Sequence, residues 1–407
     1  MKSIIKCLTV LAALLLLLAG CEWDGPTAAY NQPQPDYPNA VITQIEPEVA
    51  VAGANYITIH GDNFAENLTD NLVFFDNAQV DLIEGSTTSL TVRRPVSAGD
   101  SITVKVVAYG TLVVAKFGPY QIEPVREYYG NFIENKQHET ISVDRDENVY
   151  VIQRSPADVH KITPDGNRTI IGTAAVIPTH ALIAPNGKLT YFKDRRIRQI
   201  DLTTGVNDTL IDVTKSVTFG DYDENGNLFA GGRRTDIIIV KPDITSSAAG
   251  LYAGDEIFCI RVFQGNLYLL ADIARPDDNT PALGIFRHSI LDAEGHLGPR
   301  EVVLDWAETG EYAESEPLSF TFSAEGKLFV AADHANPLLM IDLTDGSQDI
   351  MYKDILTGVI AGMEWGTGNY LYYIKDTYTP EGGEPDNIFD CVRVDMGESG
   401  APYYGRM

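Results

Sequence analysis

The sequence predicts an all-β chain of two domains, a small β-sandwich followed by a six-bladed β-propeller. Two patterns and one bound predict it. Short apolar runs of period two, cut by turn residues, fill residues 39–125. A unit of about 40 residues then recurs to the end of the chain. With 44% hydrophobic residues over roughly 370 positions, two domains are expected.

At the N-terminus, Lys2 and Lys6 precede an apolar run from Leu8 to Ala19 that ends in Leu17-Leu18-Ala19-Gly20-Cys21. Positive, apolar, then small residues is the order of a signal peptide, here residues 1–20. The run is shorter than the roughly 20 apolar residues that cross a bilayer. A cysteine directly after Leu-Ala-Gly resembles the lipobox of bacterial lipoproteins, which implies acylation of Cys21 and cleavage before it. Residues 21–38 carry Pro26, Pro33, Pro35 and Pro38 without apolar periodicity and read as a tether. Glu22 and Asp24 behind the cysteine resemble the export signal of Bacteroidota surface lipoproteins. That resemblance implies an outer-membrane location facing the cell exterior, with the membrane touched through the lipid alone.

Thirty Lys and Arg stand against 57 Asp and Glu, a formal charge of -27 that becomes -29 when Lys2 and Lys6 leave with the signal. Such an excess of acid opposes binding to phosphate backbones, so no nucleic-acid partner is expected. Cys7 leaves with the signal and Cys21 is lipidated, which leaves Cys259 and Cys391. Two lone cysteines in non-neighbouring units read as buried thiols in preference to a bridge.

Within residues 39–125 the alternating pairs Ile57/Ile59, Leu90/Val92 and Ile102/Val104/Val106 mark strands. The order Ile45-Glu46-Pro47, Gly53, Ile57-Thr58-Ile59-His60-Gly61-Asp62-Asn63-Phe64, Val73-Phe74-Phe75 and Leu90-Thr91-Val92-Arg93-Arg94-Pro95 resembles an IPT/TIG domain. Gly61 is expected to take a turn conformation that other residues resist, and Phe64 to supply core. The resemblance implies an immunoglobulin-like β-sandwich that acts as a spacer or binding module.

From residue 126 to 407 an apolar strand, a polar turn and a second strand opening on Gly-Asn-Leu or Gly-Lys-Leu recur, anchored at Glu147, Gly187, Gly226, Gly265, Gly326 and Gly368. The intervals are 40, 39, 39, 61 and 42 residues. About 40 residues make one four-stranded blade, so six copies make six blades. Inner strands are expected to begin near Thr140, His180, Phe219, Phe258, Ser319 and Gly362. The long interval is assigned an insertion within residues 274–300. The repeats resemble NHL-type propellers, although Glu147 replaces the expected glycine and the usual loop Asp/Asn is missing from several copies.

Catalytic motifs fail. His138-Glu139-Thr140-Ile141-Ser142 opens like a zinc-protease motif but has Ser142 where the second histidine must be. Asp221-Tyr222-Asp223-Glu224-Asn225-Gly226 opens like a calcium loop, yet its twelfth position is Gly232. No cofactor motif is present and none is expected. The loops after each second strand hold Arg154, Lys193, Arg195, Arg196, Arg233, Arg234, Arg275, His334 and Lys375. Converging on one mouth, they would attract a carboxylated or sulfated ligand. Paired tangentially to neighbouring blades, they would be structural. His180, Trp365 and Tyr378 join them as binding candidates, with Trp306, Tyr403 and Tyr404 as further rings on which a sugar could stack. The lipoprotein, IPT/TIG and propeller resemblances together imply a surface protein that binds an extracellular glycan beside an outer-membrane import system. The alternatives are a scaffold for protein partners and a metal-dependent lactonase or lyase, for which His138, Glu139, His180, Asp194 and Asp376 are the candidate ligands.

Overall fold

The computed structural model describes residues 37–132, 136–277, 279–377 and 388–406. The signal peptide, Cys21, most of the tether and Tyr378 lie outside the described residues. Among these, strands are joined by loops and four 3₁₀ turns, without an α-helix.

Residues 41–122 form two sheets over one core. One sheet has the order Val41–Glu46, Tyr56–Asp62, Ser89–Arg93, Leu82–Gly85, and the other Val49–Ala50, Ala115–Ile122, Gly99–Ala108, Asn71–Phe75, Ala78–Val80. The alternation seen in the sequence puts Ile57, Ile59, Leu90, Val92, Val104 and Val106 wholly inside, with Phe64 beside them. Gly61 matters for a different reason from the one expected. Its φ is not positive; a Cβ there would lie 2.0 Å from the Val41 carbonyl oxygen. The left-handed conformation falls on Asn63, at φ 60°.

Beyond residue 125, six four-stranded antiparallel sheets follow among the described residues. The innermost strands, in chain order, are His138–Val143, His180–Ile183, Phe219–Tyr222, Glu256–Phe263, Pro317–Phe322 and Val359–Trp365. Each packs against the next and the last packs against the first, so the sheets close a propeller-like ring. The sixth sheet takes its outermost strand from the other end of the chain. Arg126–Tyr128 pairs with Ile388–Asp395, through Arg126 with Val394 and Tyr128 with Val392. Large apolar clusters fill the wedges between neighbouring sheets, such as Phe263, Tyr268, Phe320 and Phe322 between the fourth and fifth. In the long interval the extra residues are spread through the fourth sheet and its exit. They form loop segments at 273–277 and 279–282, a connection at 290–300 and 3₁₀ turns at Trp306–Glu308 and Gly310–Tyr312, so the insertion is not confined to 274–300.

The turn after each innermost strand explains the repeat signature. Glu147, Gly187, Gly226, Gly265 and Gly326 all have φ between 60° and 91°. Glu147 accepts this strained conformation because its carboxylate receives the Gly368 N–H at 2.9 Å and the Thr367 hydroxyl at 3.0 Å. The sixth copy is one residue out of the expected register. Its turn bond runs from Gly366 N–H to the Tyr370 carbonyl, like Asp144 N–H to Asn148, so Asn369 and not Gly368 stands at the anchor.

The two bodies are joined through Asp349. Its carboxylate accepts from Asn55 Nδ2 at 2.9 Å and Tyr56 hydroxyl at 2.6 Å, and pairs with Arg93 at 3.1 Å. Burial, then the bond to Asp349, pushes the Tyr56 phenol up to about 12. The Tyr352 hydroxyl accepts from Gly53 N–H at 2.7 Å, and Lys353 reaches Asp81 at 2.7 Å.

Candidate functional site

The ring has one covered face and one open face. The C-terminal segment runs over the turns that follow the innermost strands. Gly400 N–H bonds the Gly368 carbonyl, Ala401 N–H bonds Phe322, and Gly405 lies so close to Ile183 that a Cβ would approach its carbonyl oxygen to 1.8 Å. From the fifth sheet to the second, the segment crosses the ring axis. The opposite face, where innermost strands begin and second strands end, is left without such a cover among the described residues.

Strand pairing aligns the innermost strands in layers. Ser142, Leu182, Asp221, Arg261, Thr321 and Glu364 face equivalent partners, from Tyr150 through Tyr372, and form the inner layer. Arg261 of the fourth sheet reaches Glu364 of the sixth at 2.8 Å, and Arg406 reaches the other oxygen of the same carboxylate at 2.7 Å. All three are no more than 4% exposed. The Tyr403 ring lies between the two guanidiniums, 5.3 Å from Arg261 and 4.6 Å from Arg406, with its hydroxyl on Thr321 and Phe322 N–H. Burial opposes the Arg261 charge, but the surrounding anions, Glu364 foremost, leave its pKa raised. Asp221 accepts from Val262 N–H at 2.8 Å and Tyr222 N–H at 2.9 Å, yet burial pushes its carboxyl up to about 6.

That shift has a sign. A carboxyl raised from 3.8 to about 6 binds its proton more tightly folded than unfolded, so Asp221 lowers stability as pH rises from about 4 to 6. The full effect is about 3 kcal/mol, at 1.36 kcal/mol per unit. Asp221→Asn is therefore expected to gain stability relative to the parent as pH goes from 4 to 7. Urea titrations across that range check it, and a pH-independent difference between the two chains would contradict it.

One step toward the open face, Thr140, His180, Phe219, Cys259, Ser319 and Gly362 form the outer layer. Bulges precede four of these positions, which turn the strand ends at the rim; the bulge after Ile257 is why Cys259 and not Phe258 stands in register. Thr140 Oγ1, Ser319 Oγ and His180 Nδ1 are withdrawn from solvent with no hydrogen-bond partner. Burial, then Arg261, pushes the His180 imidazole down to about 3, so the ring is neutral and offers one donor and one acceptor. It packs 5.4 Å from Phe219 and 5.8 Å from Phe192.

The cations of the loops do not converge as free groups. Arg154 pairs with Glu139, Arg196 with Asp212 at 3.2 Å, and Arg233 with Glu256 at 3.6 Å, each bond running to an adjacent strand. Lys375 is 7% exposed and packed on Gly358; burial, then Arg126, lowers its pKa. His334 is turned inward, its ring 4.3 Å from Tyr312 and its Nδ1 bonded to Asn336. Arg195, Arg234 and Arg275 are exposed and Lys193 is half-exposed, with no ion pair among the described residues. They belong to the second, third and fourth sheets, so a basic arc replaces the expected funnel.

Trp365 is no platform. In the true register it aligns with Val143, Ile183, Tyr222, Val262 and Phe322, the buried ends of the other innermost strands, and it is 0% exposed beneath Gly400. Trp306 and Tyr403 are buried as well, and Tyr404 donates to Glu224 on the covered face. The proposed metal ligands also stay apart. His138 bonds Gln153, Glu139 holds Arg154, and no three His, Cys, Asp or Glu gather around a common point among the described residues. Cys259 and Cys391 are buried free thiols.

Residues 40–122 match the IPT/TIG domain. No curated protein sequence matches the chain. Among solved structures, a luciferin-regenerating enzyme shares 13% identity at a TM-score of 0.54, over 69% of this chain and 99% of its own. An auxiliary nutrient binding protein from Bacteroides thetaiotaomicron shares 10% at 0.49, over 88% and 97%. A gluconolactonase from Xanthomonas campestris shares 10% at 0.48, over 73% and 90%. The first likeness is one of fold.

Proposed function

We propose that the chain is an outer-membrane lipoprotein, anchored through Cys21, whose ring is a six-bladed propeller of NHL type that binds an extracellular glycan at its open face. The IPT/TIG sandwich would hold that face away from the membrane. The observation that carries the reading is the outer layer. Thr140, His180 and Ser319 come from three different sheets, and each buries a polar atom that has no partner. A buried group left unsatisfied costs about 1–3 kcal/mol, so such a set favours a ligand rich in hydroxyls. All three are uncharged, which suits a neutral sugar, and Phe219 beside His180 supplies an aromatic surface for its C–H face. The charges beneath are bonded to one another, Arg261 and Arg406 sharing the one carboxylate of Glu364, and form a floor instead of a catalytic centre. Arg195, Arg234 and Arg275 at the rim would tolerate acidic substituents.

Placement beside an outer-membrane glycan import system follows from the same reading. Screening the full chain on an array of neutral and acidic glycans tests the binding. Retention by at least one class is expected, and retention by none would contradict it.

A further inference from the structure

The sandwich has two ends. One carries Gly53, Asn55 and Arg93 and is fixed to the ring. The other lies about 30 Å away, the length of the ten-residue strand Gly99–Ala108. At that far end Tyr37, the first described residue, packs on Gly110. Next to it, the loop after Ala108 turns its apolar side chains outward. Tyr109 is 73% exposed, Leu112 76%, Val113 54% and Val114 38%. Four large apolar residues in six positions is not the usual scatter of single exposed hydrophobics; such a patch marks a contact.

The loop is held in shape. Tyr109 N–H bonds the Asp70 carbonyl at 2.8 Å, and the Thr111 hydroxyl bonds Ala108 at 2.8 Å. Its sequence, Tyr109-Gly110-Thr111-Leu112-Val113-Val114, carries no charge, in a chain of net charge -27, and Lys116 follows in the next strand.

We propose that this loop is a second membrane contact, dipping Leu112 and Val113 into the bilayer interface with Tyr109 at the level of the headgroups. The inference rests on the lipid anchor of the proposed function. Residues 22–36 are 15 positions, which span at most about 50 Å fully extended and much less as a coil. A chain of that length, running to Tyr37 beside Gly110, limits how far this end can stand from the anchored surface and leaves the loop free to reach it. Tyrosine with aliphatic neighbours and a lysine suits an interface in which one side is apolar and the other wet. With the loop inserted, the sandwich would stand upright and the ring's open face would be carried outward on a fixed stalk.

The test replaces the acyl chains by a chemical tether, so it does not depend on lipidation. The full mature chain, with oligohistidine at its N-terminus, is held on phosphatidylethanolamine and phosphatidylglycerol vesicles through a nickel-chelating lipid. With Cys21 replaced by serine, since the oligohistidine supplies the tether, an environment-sensitive fluorophore is placed at Leu112→Cys or, as control, at Asp243→Cys on the ring; the remaining native thiols, Cys259 and Cys391, are buried. A blue-shifted emission and a several-fold drop in iodide quenching at residue 112 alone are expected. Water-like emission at both positions would overturn the proposal and leave the loop to a protein partner. The anchor is read separately, by whether Cys21→Ala leaves the membrane fraction of cells.

Discussion

Replacing Glu364 by glutamine is expected to lower the ring's melting temperature by on the order of 5–10 °C. The carboxylate holds Arg261 at 2.8 Å and Arg406 at 2.7 Å in a site from which water is excluded. Taking away one partner of a buried ion pair costs about 3–5 kcal/mol, because the remaining charge stays buried without compensation. Here two guanidiniums share one anion. A glutamine oxygen can still accept from one, but its amide then faces the other. At about 2 °C per kcal/mol for a body of this size, the shift is easily measured by calorimetry. Replacing Arg261, Glu364 and Arg406 together by methionine should recover much of the loss, since apolar side chains of similar volume often match a buried ionic group. An unchanged melting temperature for Glu364→Gln would mean that the cluster is not closed as described.

The second large effect concerns the join between the two bodies. Asp349→Ala removes the acceptor of Asn55, Tyr56 and Arg93 at once, and Arg93, mostly buried and stacked 5.1 Å from the Tyr56 ring, loses its counter-ion. The interface should weaken by about 3–5 kcal/mol, while the core of each body is untouched. Calorimetry is then expected to resolve two transitions, and small-angle scattering to report a larger radius of gyration. Lys353→Ala, which removes an exposed pair with Asp81, should cost under about 1 kcal/mol and leave the join intact. A single transition for Asp349→Ala would show that other contacts fix the two-sheet body to the ring.

Much of the architecture was legible because it rests on periodicity. Period two is enough to place Ile57 and Ile59 inside, and a glycine needing positive φ is enough to mark the turns at 187, 226, 265 and 326. Five of the six expected starts, Thr140, His180, Phe219, Ser319 and Gly362, stand in the outer layer. What failed was register at irregular points. A bulge moved Phe258 out of the layer, and a turn beginning at Gly366 puts Trp365, a binding candidate in the sequence, into the core. Side-chain pairing was hidden for a physical reason: an arginine in a loop reads alike whether it meets a ligand or the carboxylate of the next strand, as Arg196 meets Asp212. The central cluster was missed although a signal existed. Gly220-Asp221-Tyr222, Ile260-Arg261-Val262 and Met363-Glu364-Trp365 each set one charge near the end of a largely apolar strand, four or five residues before the anchor of the turn. The role of Arg406 carried no such signal, since only the folded tail brings it to the axis.

The measurement that bears most directly on ligand binding by the open face is affinity electrophoresis of the full chain in gels containing the glycan class it retains. The parent chain is compared with His180→Ala/Ser319→Val, which alters the outer layer, and with Tyr404→Ala, which alters the covered face. Loss of at least tenfold in affinity for the first variant, with the second unchanged, is the expected result. Parent-like retardation of the His180/Ser319 variant would place the ligand elsewhere and contradict the assignment of the open face.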